Sequence, residues 1–516
     1  MLLHGAFSLH AQHYFNKFYS QHSYGAEYHS VVEYNNKFYT IGTTFDSSNA
    51  VLIYGLIFSV FDADGNLLFD SVFQKPNVRQ YNSVWNNNTL RMLPDHTLLY
   101  GVSTDIKDST MEMFALLLRF DTLGHVLSQR EYLKPFCRDT VKWYTLMDIQ
   151  PTGTGEWLML CWTACYNPST VEPDYYALTK MDSNFNVEWV RSYGSQYLQN
   201  RPGKIRIDND GGYLLGGMVT NYQGTGTTAF IRSQIIKTDT AGQVLWDWKS
   251  DSLKLSYEIK DIIRTKDNGY LYSCMGHGYM EGTGFPRLKT FIQKLDSNRN
   301  PVWSDTLGVV YIASNTIPFV RLVELPDSTV ITGSSVYGGF NDDLPPYLHI
   351  YAGLIRYRPD GSKIFHHKYY PIDTGAGNSR EFDFNKCADG GYIIAGNHVT
   401  RTSDFGWLVR VDSNGCMGLT DTGCHNLHAP LMPQEQLSVQ LYPNPATTYI
   451  NIDFTRLPQG LKLECYNPLG QLIETRNVIN QTERIDLTNW CTGIYIYKVT
   501  YNGVALATGK FVKMGG

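Results

Sequence analysis

Apolar positions recur along this chain in one arrangement of short strands and polar turns. One copy reads Asp208-Asn209-Asp210-Gly211-Gly212 and then Tyr213-Leu214-Leu215-Gly216-Gly217, a turn feeding an apolar strand that ends on small residues. Its second half, Ile236-Lys237-Thr238-Asp239-Thr240-Ala241-Gly242-Gln243-Val244-Leu245-Trp246, reads as a strand, a tight turn and a further strand. Asx side chains and glycine at these places are what tight hairpins require, because they bond their own backbone or accept positive φ.

The second half returns with its key position at Asp62, Asp121, Asp182, Asp239, Asp296, Arg358 and Asp412, at intervals of 59, 61, 57, 57, 62 and 54 residues. The first half keeps pace, with turns around Asn36, Asp95, Gly155, Asp210, Asp267, Asp327 and Asp389. A further short strand precedes each, as in Gly203-Lys204-Ile205-Arg206-Ile207. Four strands per repeat at a near-constant period predict an all-β fold, a seven-bladed β-propeller of four-stranded antiparallel blades. An open solenoid of the same repeats is the alternative.

Ring closure has its own signal. The seventh repeat reaches Trp407–Asp412 but continues as Cys416-Met417-Gly418-Leu419, without a fourth strand. At the other end, His13–Ser20 precedes the first repeat and matches Val187–Gly194 in pattern and position. An N-terminal strand completing the last blade removes the open sheet edges that invite aggregation.

Composition adds limits. The chain has 516 residues, 36 Tyr, 24 Phe and 10 Trp, and a net charge of −5 from 43 basic and 48 acidic residues. With no basic stripe, nucleic acid is not an expected partner. No apolar run approaches the roughly 18–20 residues of a membrane-crossing helix, so no transmembrane segment is expected. Nine cysteines, none in zinc-type CxxC pairs, leave Cys416–Cys424 as the leading disulfide candidate, with Cys161/Cys165 and Cys465/Cys491 as other close pairs.

The pattern divides the chain. Residues 1–12 read as a truncated signal peptide remnant, 13–424 as the propeller, 425–437 as a Pro-containing linker, and 438–516 as a small Ig-like β-sandwich. Strands of the last segment are expected near Val439–Tyr442, Tyr449–Phe454, Leu461–Tyr466, Gln471–Asn477, Glu483–Leu487, Gly493–Tyr501 and Ala505–Val512.

Five blocks of that segment carry a resemblance: Leu441-Tyr442-Pro443-Asn444-Pro445-Ala446, Cys465-Tyr466-Asn467-Pro468-Leu469-Gly470-Gln471-Leu472, Ile485-Asp486-Leu487, Trp490 with Thr492-Gly493-Ile494-Tyr495-Ile496-Tyr497-Lys498-Val499, and Gly509-Lys510-Phe511-Val512-Lys513. In their order and spacing they resemble the C-terminal sorting domain of proteins exported by the type IX secretion system of Bacteroidetes. The resemblance implies export to the medium or the outer-membrane cell surface, the type IX machinery as partner, and removal of the tail on export. It points to Tyr442, Pro443, Asn444, Pro445, Gly470, Gly493, Tyr495 and Lys510 as sorting-motif residues.

Candidate chemistry in the repeats is thin. Asp62-Ala63-Asp64-Gly65-Asn66 and Asp208-Asn209-Asp210-Gly211 offer alternate oxygens, but neither is followed by the spaced Glu of an EF-hand, so turn chemistry is the better reading. The Asp-plus-Trp pattern differs from the Asp-box of sialidases, where Gly follows Asp after one residue; Asp239 and Gly242 are separated by two. His277, His349, His366, His367 and His398 are scattered, and adjacent His366 and His367 on one strand face opposite ways. No GxSxG elbow, P-loop, dinucleotide fingerprint or HExxH is present. No catalytic residue, metal site or cofactor is therefore expected. The inserts Cys165–Tyr175, Thr220–Thr228, Gly276–Arg287 and Tyr337–Tyr347, rich in Gly, Asn, Tyr and Pro, suit glycan or surface-protein contact. The sequence reading is a secreted or cell-surface, non-catalytic propeller binding protein. The alternative is a propeller-fold extracellular enzyme acting on polysaccharide, a glycoside hydrolase or lyase, which needs facing carboxylates in the channel mouth.

Overall fold

A computed structural model describes residues 14–19, 25–46, 53–74, 78–82, 88–106, 113–132, 141–167, 170–171, 174–194, 198–220, 231–251, 258–279, 286–311, 320–337, 350–369, 378–399, 404–417, 439–454, 461–467, 471–501 and 504–515. The chain divides into two compact units, Met1–Thr420 and Asp421–Gly516.

In the first unit the described strands form seven antiparallel units built on four strands, numbered here as blades 1 to 7 in chain order. Blade 4 is representative, with Gln199–Ile207, Tyr213–Thr220, Ile231–Thr238 and Val244–Lys249 paired in that order. The first strands of the seven blades are Ala26–Tyr34, the split pair Val78–Asn82 and Leu90–Met92, Val141–Pro151, Gln199–Ile207, Glu258–Arg264, Val320–Glu324 and Asn378–Lys386. Blades 2 and 3 are also joined by a parallel bridge between Trp143 and Met113.

Seven apolar clusters fill the seven blade boundaries. Leu214 packs toward blade 5 with Ile259 and Ile262, whereas Tyr213 and Leu215 pack toward blade 3 with Leu158 and Leu178. Both faces of the second strand are thus covered, which is why it reads as a continuous apolar run rather than an alternation. Its glycines follow from the tapering space: a Cβ on Gly217 would stand 2.2 Å from the Arg201 carbonyl oxygen and from the Tyr176 hydroxyl. The cluster of Tyr28, Val31, Phe38 and Ile57 of blade 1 with Ile393, Ala395 and Leu408 of blade 7 closes the ring.

The N-terminal strand Phe15–Tyr19 completes blade 7, pairing antiparallel with Asp404–Val411 from Phe15↔Arg410 to Tyr19↔Gly406. It also makes the bond that other outer strands make. Tyr193 of blade 3 donates its hydroxyl proton to the Gly242 carbonyl in the last turn of blade 4, 2.8 Å. Tyr132 does so to Phe185 of blade 3 at 2.8 Å, Tyr369 to Gly415 of blade 7 at 2.7 Å, and Tyr19 to Gly65 of blade 1 at 2.5 Å. The match of His13–Ser20 to Val187–Gly194 places Tyr19 on Tyr193, and these two hydroxyls do the same work.

Turn chemistry is as the sequence suggests. Asp239 Oδ1 accepts from the Ala241 and Gln243 N–H groups at 2.9 and 2.7 Å, and Asp62 Oδ1 accepts from Asp64 and Asn66 at 3.0 and 2.8 Å. Gly242 and Gly65 hold φ of 76° and 71°, where a Cβ is strained. The earlier turns carry a second device: in blades 2 to 7 their acid is paired with a base on the third strand, as Asp95–Arg119, Glu156–Lys180, Asp210–Lys237, Asp267–Lys294, Asp327–Arg356 and Asp389–Arg410. Against the cost of partial burial, the Lys294 ammonium and the Thr265 hydroxyl hold Asp267 down to about 2.

The second unit stacks a three-stranded sheet, Val439–Tyr442, Tyr449–Phe454 and Thr482–Asp486, with a four-stranded one, Leu472–Asn477, Leu461–Tyr466, Gly493–Tyr501 and Val504–Lys513. Inward residues Ile450, Ile452, Leu463, Cys465, Tyr497, Val499 and Phe511 share one core.

The closing strand is directly testable. Tyr19→Phe and Tyr193→Phe each remove one buried hydrogen bond, worth about 1 kcal/mol. Urea unfolding is expected to show equal losses for the two; a loss confined to Tyr193→Phe would mean that the N-terminal strand does not close the ring.

Candidate functional site

The seven first strands meet along the ring axis, and one column of residues lines the meeting place. Six residues before Asn36, Asp95, Thr154, Asp210, Asp267, Asp327 and Asp389 stand Ser30, Thr89, Asp148, Lys204, Asp261, Arg321 and Asp383. The next residue in each strand, Val31, Leu90, Ile149, Ile205, Ile262, Leu322 or Phe384, is buried between blades. One residue further on, blades 2 and 4 add Arg91 and Arg206. In blades 1, 3, 4, 5 and 7 the pairing register shifts just before the column residue, for example between Leu146 and Asp148. Such a bulge re-aims the side chain that follows it.

Sign alternates around blades 3 to 7, and each acid spans a blade boundary. Asp148 of blade 3 accepts from the Ile205 N–H of blade 4 at 3.2 Å and lies 3.3, 3.8 and 3.9 Å from Lys204, Arg91 and Arg206. Asp261 of blade 5 accepts from Leu322 N–H of blade 6 at 2.9 Å and from Arg206 Nη2 at 2.6 Å. Asp383 of blade 7 accepts from Val31 N–H of blade 1 at 3.2 Å and from Arg321 Nη1 at 3.1 Å. Blade 1 performs the same crossing with a hydroxyl: Ser30 Oγ accepts from Thr89 N–H at 3.2 Å.

The charges also act on one another across the axis. Burial pushes the Asp383 carboxyl up, opposed by Arg321 beside it, the Val31 N–H, and Arg91 and Lys204 of distant blades. Burial likewise pulls Lys204 down against the attraction of Asp148. For Arg206 the attraction of Asp261 and Asp148 outweighs burial and raises its value.

The belt places three carboxylates around the axis, the residue type from which a glycoside hydrolase draws its acid and its base. Asp148, Asp261 and Asp383 each have side chains at most 1% exposed and are bound to a cation and a backbone N–H. A carboxylate so engaged is a poor base, acid or nucleophile. No group of three or more His, Cys, Asp or Glu able to hold a metal occurs among the described residues.

The other singled-out residues fall into packing roles. His366 is exposed while His367 is buried and stacks on Phe365 at 4.7 Å, so the two do face opposite ways. His398 is buried against Phe18 at 5.1 Å, and burial lowers its pKa. His349, the side chain of His277, and most of the inserts within 165–175, 220–228, 276–287 and 337–347 lie outside the described residues. Cys416 is disulfide-bonded; Cys424 lies outside the described residues. Cys161 and Cys465 are free and buried, and Cys491 is free and exposed.

In the second unit the segment entering the domain meets the chain's last strand at Asn444 and Ala446. Asn444 Oδ1 accepts from Val512 N–H at 2.9 Å, and Ala446 N–H donates to the Val512 carbonyl at 2.8 Å. Tyr442, Pro443 and Pro445 are exposed around this clasp. Gly493 pairs with Lys513, and Lys510 pairs with Ile496 and is exposed. Tyr495 is buried against Phe511 at 5.6 Å and Trp490 at 4.9 Å, donating to the Cys491 carbonyl at 2.7 Å. Gly470 lies outside the described residues.

Residues 440–514 match the family described as the secretion system C-terminal sorting domain. The tail is a type IX sorting domain. It marks the protein for export by that system, to the medium or the cell surface. No curated protein matches the chain. Among solved structures, the chain is similar to PorZ, a bacterial surface component of the type IX secretion system of Porphyromonas gingivalis, at 11% identity and a TM-score of 0.38, over 94% of this chain and 59% of that one. The chain thus spans 59% of the length of PorZ. It is also similar to the polysaccharide lyase Uly1, at 7% identity and a TM-score of 0.43 over 79% and 94% of the two chains. The β-propeller domain of the trilobed protease of Pyrococcus furiosus matches at 11% identity and a TM-score of 0.35, over 78% and 98%.

Two substitutions test the two units. Asp148→Asn leaves Arg91, Lys204 and Arg206 around a neutral amide and is expected to cost about 3–5 kcal/mol, as for breaking one side of a buried ion pair; an unchanged urea midpoint would refute the belt's structural role. In the sorting domain, a Cβ on Gly509 would stand 2.5 Å from the Tyr497 ring. Gly509→Val is expected to leave the protein in the periplasm, read by fractionation and immunoblot, while the propeller still folds.

Proposed function

We propose that this is a non-catalytic binding protein of the cell exterior, delivered by the type IX machinery, with its sorting domain removed on export. The propeller presents its loops to a glycan or a surface protein. One observation carries the non-catalytic part: the acids that the fold gathers at the axis are consumed by neighbouring blades, each fixed by a cation and a backbone N–H. A glycoside hydrolase or lyase depends on groups free to exchange protons with a substrate, and this arrangement spends them on holding the ring.

The reading is tested with protein collected from the medium or the cell surface. It is expected to end before about residue 438 by mass spectrometry, to bind a discrete set of extracellular glycans or surface proteins on arrays, and to release no reducing ends or unsaturated products from polysaccharides. Turnover of any polysaccharide, or an intact tail on the exported protein, overturns the corresponding part.

A further inference from the structure

The axial belt departs from its alternation at blades 1 and 2, where the column residues are Ser30 and Thr89 and the base of blade 2 stands two residues on, at Arg91. Blades 3, 5 and 7 put Asp148, Asp261 and Asp383 at the column position, but blade 1 puts Ser30 there. Ser30 keeps the mechanical task, accepting the Thr89 N–H of the next blade at 3.2 Å, and omits the charge. The bases are not reduced to match. Arg91, Lys204, Arg206 and Arg321 face three carboxylates at the belt positions.

The shortfall falls on Arg91. Arg206 has Asp261 at 2.6 Å and Arg321 has Asp383 at 3.1 Å, both in hydrogen-bond reach. Among the described residues Arg91 meets a carboxylate only at 3.8 Å, and that carboxylate, Asp148, has Lys204 and Arg206 beside it as well. The guanidinium of Arg91 is spent instead on neutral oxygens: the carbonyls of Asn88, Leu90 and Ile149 and the Asn88 side-chain oxygen, at 2.7, 2.9, 3.2 and 3.1 Å. A second observation sits on the same amide. Asn88 is 5% exposed, yet its Nδ2 donor has no hydrogen-bond partner among the described residues. A buried donor left unmade costs about 1–3 kcal/mol and calls for an acceptor. The Arg91 side chain is 17% exposed, so the cation is within reach of solvent.

We propose that the ring axis binds one small anionic group, a carboxylate or a sulfate, on Arg91 and the Asn88 amide of blade 2, beside Ser30. The group takes the place in the alternation that an aspartate holds in the other odd-numbered blades. It accepts from the guanidinium and from Asn88 Nδ2, and the Ser30 hydroxyl keeps its own proton to donate. Burial lowers the Arg91 value to about 10, with Arg321 and Arg206 adding to the fall and Asp148 and Asp383 opposing it. This site is independent of any ligand held by the loops.

The experiment uses the full chain and calorimetric titration with glucuronate, sulfate and glucose at fixed ionic strength. Saturable one-to-one binding of glucuronate or sulfate, with none of glucose, is the expected result. Binding of glucuronate alone assigns the site to a sugar carboxylate, and binding of both assigns it to small oxyanions generally. Ser30→Asp supplies the internal counter-charge, so it is expected to weaken binding at least tenfold while raising the urea midpoint. Arg91→Gln is expected to weaken binding equally, and if it fails to fold, Ser30→Asp decides. Absence of saturable anion binding, or affinity undiminished in Ser30→Asp, overturns the proposal.

Discussion

A ring of blades must join neighbouring sheets at the axis, where the first strands present edges that, apart from the single Trp143–Met113 bridge between blades 2 and 3, pair with no further strand among the described residues. The backbone N–H groups there are buried between blades, and a buried donor needs a partner. Asp148, Asp261 and Asp383 supply it by reaching across a blade boundary to Ile205, Leu322 and Val31. That contact is the constraint from which the rest follows. The carboxylates are buried to make it, burial of a lone carboxylate is costly, and so bases must stand beside them. The alternation of sign around the axis is therefore a consequence of satisfying backbone donors, with the bulges before the column residues setting the aim of the side chains.

At the outer rim the same problem has a milder answer. Water reaches the fourth strands, so a neutral hydroxyl suffices, and Tyr19, Tyr132, Tyr193 and Tyr369 each seal the next blade's turn carbonyl. In blade 5 the indole of Trp303 does this to the Pro359 carbonyl at 3.0 Å. Blade boundaries are thus fastened twice, by charge within and by aromatic donors without, with apolar clusters between. The closing strand takes part fully: Lys17 adds bonds to the Asp64 carbonyl and to Asn66 Oδ1, both at 2.8 Å.

What the sequence disclosed follows the range of the interactions. Turns such as Asp239–Gln243 bond to themselves within four residues, so their chemistry is written in adjacent letters and the seven copies can be counted. The sorting domain's strands alternate over a few residues each, and the expected spans agree with the observed ones to within one residue at most ends. The match between Tyr19 and Tyr193 was visible because both sit in a short patterned segment. The axial column is hidden in the sequence, because it contributes one residue per repeat and its residues change sign from blade to blade. A repeat search for similar residues passes over Asp148 and Lys204, which are alike in place and opposite in charge. Aligning the first strands on the turn that follows them reveals the column; nothing in one strand alone does.

That difference bears on where function can reside. Periodic features, the turns, the aromatic seals and the Asp-to-backbone crossings, recur because every blade must be joined to the next, and recurrence is explained by assembly. A binding function has to come from what breaks the period. The long inserts break it in length. In the belt it is broken in charge, where blade 1 retains the backbone bond through Ser30 and gives up the carboxylate. A hydroxyl at that position satisfies the Thr89 N–H as well as an aspartate would, so the ring's mechanics do not demand the change. The consequence is electrostatic and local: Arg91 and the Asn88 amide are left without an acid within hydrogen-bond reach among the described residues, in a fold that elsewhere provides one for each guanidinium of the belt.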